Sequence, residues 1–169
     1  MSLPTARDLM TDRVLTAQAD WSLQELASFF TEHSISGAPV ISDYGGVIGV
    51  VSVTDIARYD SEASSETEEE AEREEPPAFY LGDADVRDDE ALNALRGRPQ
   101  ATVRDIMMPA VFTVEEDAPI HEVADRMVRA QIHRLFVVHA GTKRDIAGLI
   151  SAIDVLEWVR DQGSATDGT

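Results

Sequence analysis

Thr5-Ala6-Arg7-Asp8-Leu9-Met10 returns as Thr102-Val103-Arg104-Asp105-Ile106-Met107, displaced by 97 positions. The same displacement carries Val14-Leu15-Thr16 onto Val111-Phe112-Thr113, Asp20 onto Asp117, and Leu23, Glu25, Leu26 and Ala27 onto Ile120, Glu122, Val123 and Ala124. After a two-residue insertion near Gly141, Gly49-Val50-Val51-Ser52 meets Gly148-Leu149-Ile150-Ser151, and Asp55-Ile56 meets Asp154-Val155. Agreement in one register over so many positions is an internal duplication. Each copy of roughly 55 residues is too small to bury a comfortable core alone, so the two are expected to cover each other's apolar faces.

Working outward, each copy reads β-α-β-β-α. Arg7–Met10 is an approach segment and Val14-Leu15-Thr16 a brief extended piece. Ser22 opens a helix whose apolar Leu23, Leu26, Ala27, Phe29 and Phe30 recur at helical spacing to about His33. Two β-rich runs follow, Ala38–Ile41 and Val47–Ser52, joined by Asp43-Tyr44-Gly45-Gly46, which has hairpin chemistry. A second helix starts at Ser52. The second copy predicts a helix over Pro119–Ala130, strands over Leu135–His139 and Ile146–Ile150, and a helix over Ser151–Asp161. The resulting partition is repeat 1 over 5–60, an acidic insert over 61–101, repeat 2 over 102–160 and a flexible tail over 161–169.

The chain carries 32 Asp+Glu against 14 Lys+Arg, a formal net charge of −18 over 169 residues. Such a surface opposes nucleic acid, whose binding depends on clustered cations that release counterions, and opposes an anionic membrane surface for the same reason. Small anionic ligands remain compatible, because salt screens charge beyond about 8 Å and a few local arginines set the field in a pocket. There is no cysteine, which removes disulfides, thiolate metal sites and a cysteine nucleophile together. No apolar run approaches the roughly 20 residues that span a bilayer, and no signal-like segment is seen, so the expected location is cytoplasmic.

The insert is where the acid concentrates, with 14 acidic and 4 basic residues over Asp60–Ala101. Ser61–Glu75 has no apolar periodicity and reads as a solvated tract. Phe79-Tyr80-Leu81 is a short apolar cluster able to dock on the repeats or on a partner. Asp88–Leu95 reads as a short helix ending at Gly97.

Ser52-x-x-Asp55 lies where a strand ends and a helix begins, at the spacing of a helix N-cap and its third residue. One reading is a capping-box variant, with Asp55 favoured by the helix dipole. The other is a carboxylate held at a helix start, offering oxygens to the hydroxyls of a ribose, with Ser52 and Thr54 adding polar contacts near sugar or phosphate. The second copy keeps Ser151 and Asp154 but has Ile153 in place of Thr54, which ranks it as the weaker site. Catalytic signatures are missing: no Gly-x-Ser-x-Gly elbow, no Walker loop, no His-Glu-x-x-His helix. His33, His121, His133 and His139 do not fall at metal-ligand spacing. No enzyme, no metal and no required cofactor are expected.

The Arg-Asp-Leu/Ile-Met openings, the Ile-Ser-Gly-Ala-Pro-Val and Ile-His-Arg-Leu-Phe-Val segments, and the paired Gly-Val-Val-Ser-Val-Thr-Asp-Ile and Gly-Leu-Ile-Ser-Ala-Ile-Asp-Val endings resemble a tandem pair of CBS domains, or Bateman module. The resemblance covers about two thirds of the chain. It implies an α+β fold of two β-α-β-β-α repeats packed face to face as one pseudo-symmetric module. It further implies a regulatory adenosine-containing ligand (AMP, ADP, ATP or S-adenosylmethionine) in the cleft between repeats. Asp55 would take the ribose and His133 and Arg134 the phosphates, with Val14, Ala38 and Pro39 near the adenine. Ser36-Gly37 stands uncharged where the second copy has His133-Arg134, and Ser36, Ser52 and Thr54 complete the set. Val111, Ser151 and Asp154 form the weaker second set. A homodimer through the helices Leu23–His33 and Pro119–Ala130, and a regulated protein partner, are implied as well. The rival reading is a ligand-free dimerisation or interaction scaffold whose Ser-x-x-Asp elements only cap helices.

Overall fold

The computed structural model describes residues 3–62, 76–81 and 101–164. The Asp88–Leu95 helix and most of the acidic tract therefore lie outside the described residues. The chain divides into two compact units: an outer unit of Met1–Val14 with Phe112–Thr169, and an inner unit of Leu15–Val111.

The inner unit contains β1 (Ala17–Gln18), α2 (Leu23–His33), β2 (Gly37–Ile41), β3 (Val47–Ser52), α3 (Val53–Glu62), a 3-10 turn (Ala78–Leu81) and α4 (Val103–Ile106). The outer unit contains α1 (Ala6–Leu9), β4 (Thr113–Glu115), α5 (Ile120–Ala130), β5 (Arg134–Val138), β6 (Ile146–Ser151) and α6 (Ala152–Ser164). Each sheet has three strands, β1-β2-β3 and β4-β5-β6, with the first pair parallel and the second antiparallel. This is a mixed α+β architecture stated twice. Even irregularities repeat: the ladder slips between Val40 and Ile41 and between Val137 and Val138. Ser34 and Gln131 both close their helices in the left-handed region, at φ 53° and 54°. Sheet pairing begins at Ala17, three residues past the extended piece expected at Val14, because Ala17 is the residue that meets Val40 in register. Helix α6 continues to Ser164, taking in the first residues of the expected tail.

The approach segments are exchanged. Thr5–Thr11, read as the opening of the first copy, docks on the second copy's sheet, where Thr11 N donates to Leu149 O at 2.8 Å and Leu149 N returns a bond at 2.9 Å. Its counterpart makes the same ladder in the inner unit: Met108 N to Val50 O at 2.8 Å and Val50 N to Met108 O at 2.9 Å. Ala6 N bonds Ala118 O as Val103 N bonds Trp21 O. Both segments are one-turn helices opened by the same device, an aspartate (Asp8, Asp105) accepting from the backbone N–H and hydroxyl of a threonine (Thr5, Thr102). Those hydrogen bonds, backbone first, hold both carboxyls below the usual aspartate range. Ala6 and Val103 are fully buried, so each borrowed segment completes the core of the unit it joins.

Helix starts differ between units for a chemical reason. Ser22 caps α2 by accepting from Glu25 N, while Glu25 reaches back to Ser22 N. Pro119 at the matching place has no hydroxyl; the first N–H of α5, from Ile120, bonds Pro4 O at 2.9 Å instead. Glu116 ties the outer unit further, accepting from Arg7 and from Ala140 N, with His139 Nδ1 at 3.3 Å.

Candidate functional site

Each unit presents one strand-to-helix junction carrying Ser-x-x-Asp. In the inner unit β3 ends at Ser52 and α3 starts at Val53. Asp55 Oδ2 accepts from Ser52 N at 2.8 Å and from Ser52 Oγ at 2.7 Å, and Oδ1 lies 3.7 Å from Arg58 Nη1. In the outer unit Asp154 Oδ2 accepts from Ser151 N and Oγ, both at 2.7 Å, and Asp154 N donates to Ser151 Oγ. Both aspartates thus bond back to their own serine, and in the outer unit the Ser151 hydroxyl caps the helix in return. Each serine occupies one carboxylate oxygen, and among the described residues Asp154 Oδ1 has no hydrogen-bond partner.

The residue opposite the serine decides how the two junctions differ. Gly37 pairs with Ser52 across the β2–β3 ladder, and Arg134 pairs with Ser151 across β5–β6. Side chains opposite one another on an antiparallel pair share a face. Val53 N bonds Ser36 O and Ala152 N bonds His133 O, so Ser36-Gly37 and His133-Arg134 hold equivalent places beside their own helix starts. The outer unit therefore gathers His133, Arg134, Ser151 and Asp154 at one junction, and it also contains Val14. The inner unit gathers Ser36, Ala38, Pro39, Ser52, Thr54 and Asp55, and also contains Val111. The arrangement expected to join Asp55 with His133 and Arg134 draws on both sets, whereas the ladder pairs Arg134 with Ser151.

Burial separates the junctions again. Ser52 is 5% and Asp55 4% exposed, while Ser151, Asp154 and Arg134 are half-buried and His133 is exposed. Desolvation pushes the Asp55 carboxyl up despite the hydrogen bonds from Ser52 and the nearby Arg58, which pull it down. A raised folded-state value means the native protein holds this proton while the unfolded chain has already lost it. Stability from this group is therefore full below the unfolded aspartate range and falls as pH rises through the folded value. Asp55→Asn keeps an oxygen for Ser52 and has no charge to bury. The expected result is a higher urea midpoint than the parent at pH 7 and no gain at pH 3; a gain of equal size at both would refute the burial cost.

Two further features concern apolar residues. Phe79 and Tyr80 are 5% and 0% exposed, and the turn that carries them packs against β3. Only the apolar character of Phe79-Tyr80-Leu81 inside an acidic insert signalled this. Exposed apolar residues are also unevenly spread over the helices: Leu23, Leu26 and Phe30 of α2 and Ile120, Val123 and Met127 of α5 are buried, whereas Val128 of α5 and Ile153, Leu156 and Val159 of α6 are more than half exposed. The helical spacing of Leu23, Leu26 and Phe30 and of Ile120, Val123 and Met127 marks the core faces of α2 and α5, while Val128 projects from the other face of α5. A groove of about 520 Å³ beside β4 and α5, bordered by Glu115, Glu122, Arg126 and Lys143, contains none of the nominated residues.

The profile of the CBS domain matches residues 6–62 and 103–161, both copies and little else. The chain belongs to the CBS domain family. Among solved structures, the CBS domain pair of protein MJ0100 in complex with 5′-methylthioadenosine and S-adenosyl-L-methionine superposes with a TM-score of 0.62 at 19% identity, covering 95% of this chain and 98% of that one. Inosine-5′-monophosphate dehydrogenase of Halobacterium salinarum is 25% identical over 162 residues, 95% of this chain but 25% of the enzyme. L-aspartate semialdehyde sulfurtransferase of Methanocaldococcus jannaschii is 39% identical over 54 residues, 32% of this chain and 11% of that protein. The matches thus span a quarter or less of the length of these two enzymes. Among the described residues no group of three or more His, Cys, Asp or Glu is placed to hold a metal ion, and no helix is long and apolar enough to cross a membrane.

Proposed function

We propose that this CBS pair is a regulatory module that binds an adenosine-containing ligand and signals by shifting a conformational equilibrium. The observation that carries the reading is the outer-unit junction, where Asp154 is held through one oxygen by Ser151 and Arg134 stands opposite that serine. A carboxylate so fixed can accept from a ribose diol without reorganising. The guanidinium can fork onto a phosphate or a carboxylate, and the helix N–H groups favour the same charge. A solved relative of the same fold that holds 5′-methylthioadenosine and S-adenosyl-L-methionine supports the ligand class. AMP, ADP and ATP belong to that class and differ in what they ask of His133 and Arg134. A ligand changes the module only by binding one of its conformations better than another.

The scaffold reading has one observation in its favour, the local capping of both aspartates by their own serines. Melting the protein with 5′-methylthioadenosine, S-adenosylmethionine, AMP or ATP separates the two. A ligand at 100 times its Kd should add about 2.7 kcal/mol of stability. An unchanged melting temperature with all four would leave the scaffold.

A further inference from the structure

We propose that the Ala78–Leu81 turn is a built-in plug that occupies the first repeat's ligand position, so that the chain in its resting form offers one adenosine site rather than two. This rests on the adenosine-binding reading above. Position 37 is where the second repeat carries Arg134, the side chain placed to meet an anion beside Ser151. In the first repeat the residue is glycine, and the vacated space is filled. A Cβ added to Gly37 would lie 2.7 Å from Phe79 Cδ2 and 3.4 Å from Ser52 Cβ. The phenyl ring and the Ser52 side chain thus border the same small volume, at the pair that opens the Ser-x-x-Asp junction. Contact at 2.7 Å is closer than carbon atoms tolerate, so glycine at 37 is what lets the ring sit there.

Three further facts fit a plug. Phe79 and Tyr80 meet edge to face with centroids 5.2 Å apart, and Tyr80 Oη donates to Ala110 O at 3.3 Å, so the turn is fastened to the end of the segment that follows α4. The neighbouring Ser52 and Asp55 are buried, unlike Ser151 and Asp154 at the unplugged junction. The aromatic pair also comes from an insert otherwise dominated by acid, and it is buried although it lies outside the cluster formed by Leu26, Phe30, Val51 and Ile56. An aromatic ring resting on Gly37 leaves a ribose no approach to Ser52, Thr54 and Asp55 from that side. Release of the turn would convert a one-site module into a two-site one, and anything that captured the insert would thereby alter ligand response.

Calorimetric titration of the full chain with 5′-methylthioadenosine, S-adenosylmethionine and AMP tests this on the parent, on Phe79→Ala and on Gly37→Ala. The second variant displaces the ring by a clash while leaving the Phe79 side chain itself intact; the added atom would also lie 3.1 Å from Val51 O, and the arginine at the equivalent place in repeat 2 shows that the strand accepts a side chain there. The expected result is one ligand per chain for the parent and two for each variant that still melts cooperatively. Two ligands per parent chain, or one ligand on both variants, overturns the plug and leaves the adenosine reading standing. No binding by any form overturns both.

Discussion

Gly148→Ala is expected to lower the stability of the protein by about 2–3 kcal/mol, the range typical of overpacking a site that cannot give way. A Cβ there would lie 2.6 Å from Met10 Sδ, 2.9 Å from Met10 Cγ and 2.7 Å from Thr11 O. The thioether end could swing aside. The carbonyl cannot, because Leu149 N donates to it and Leu149 O accepts from Thr11 N in return. Relieving the clash therefore breaks the bridge that fastens Met1–Val14 to the outer unit. Gly49→Ala should behave alike in the inner unit, where the added atom would meet Met108 O at 2.6 Å. Gly45→Ala supplies the control. Its φ of 83° strains any side chain, but nothing lies within 4 Å, so about 1 kcal/mol is expected. Urea denaturation ranks the three, and amide exchange at Thr11 and Met108 shows which bridge opened. A Gly148→Ala midpoint equal to the parent's would mean that the approach segment contributes little to holding the unit.

The duplication was legible because a common displacement carries the same residue types onto the same elements. Helix starts at Ser22 and beyond Pro119, the hairpins, and the Ser-x-x-Asp junctions all follow from local chemistry. The exchange of approach segments was not legible. Thr5–Met10 and Thr102–Met107 are near copies, so either could dock on either sheet with the same local energies. The preference is expressed only in contacts such as Ala6 N to Ala118 O, between residues far apart in sequence. The ranking of the two junctions rests on features of different kinds. Counting hydroxyls favours Asp55, since Thr54 faces Ile153 in the comparison. Burial and the cross-strand partner point the other way, and both depend on pairings (Gly37 with Ser52, Arg134 with Ser151) and on a phenyl ring supplied by the insert.

The proposed preference for the outer junction sets the second large effect. Asp154→Ala should weaken the adenosine ligand about 100-fold, because a charged acceptor facing two hydroxyls is worth some 1.5–3 kcal/mol per hydrogen bond and each 1.4 kcal/mol is tenfold. Arg134→Ala should cost about tenfold with AMP or S-adenosylmethionine, and much less with 5′-methylthioadenosine, which has no phosphate or carboxylate for a guanidinium to fork onto. Asp55→Ala should leave the affinity of the parent within about threefold, since a carboxyl group 4% exposed has, on this proposal, no ligand to lose. In the Phe79→Ala background the same Asp55→Ala change should abolish the second binding event and spare the first. Equilibrium dialysis with each variant reads all four values. If Asp55→Ala alone removes binding and Asp154→Ala does not, the ligand sits on the inner unit, and the hydroxyl count outweighs burial after all.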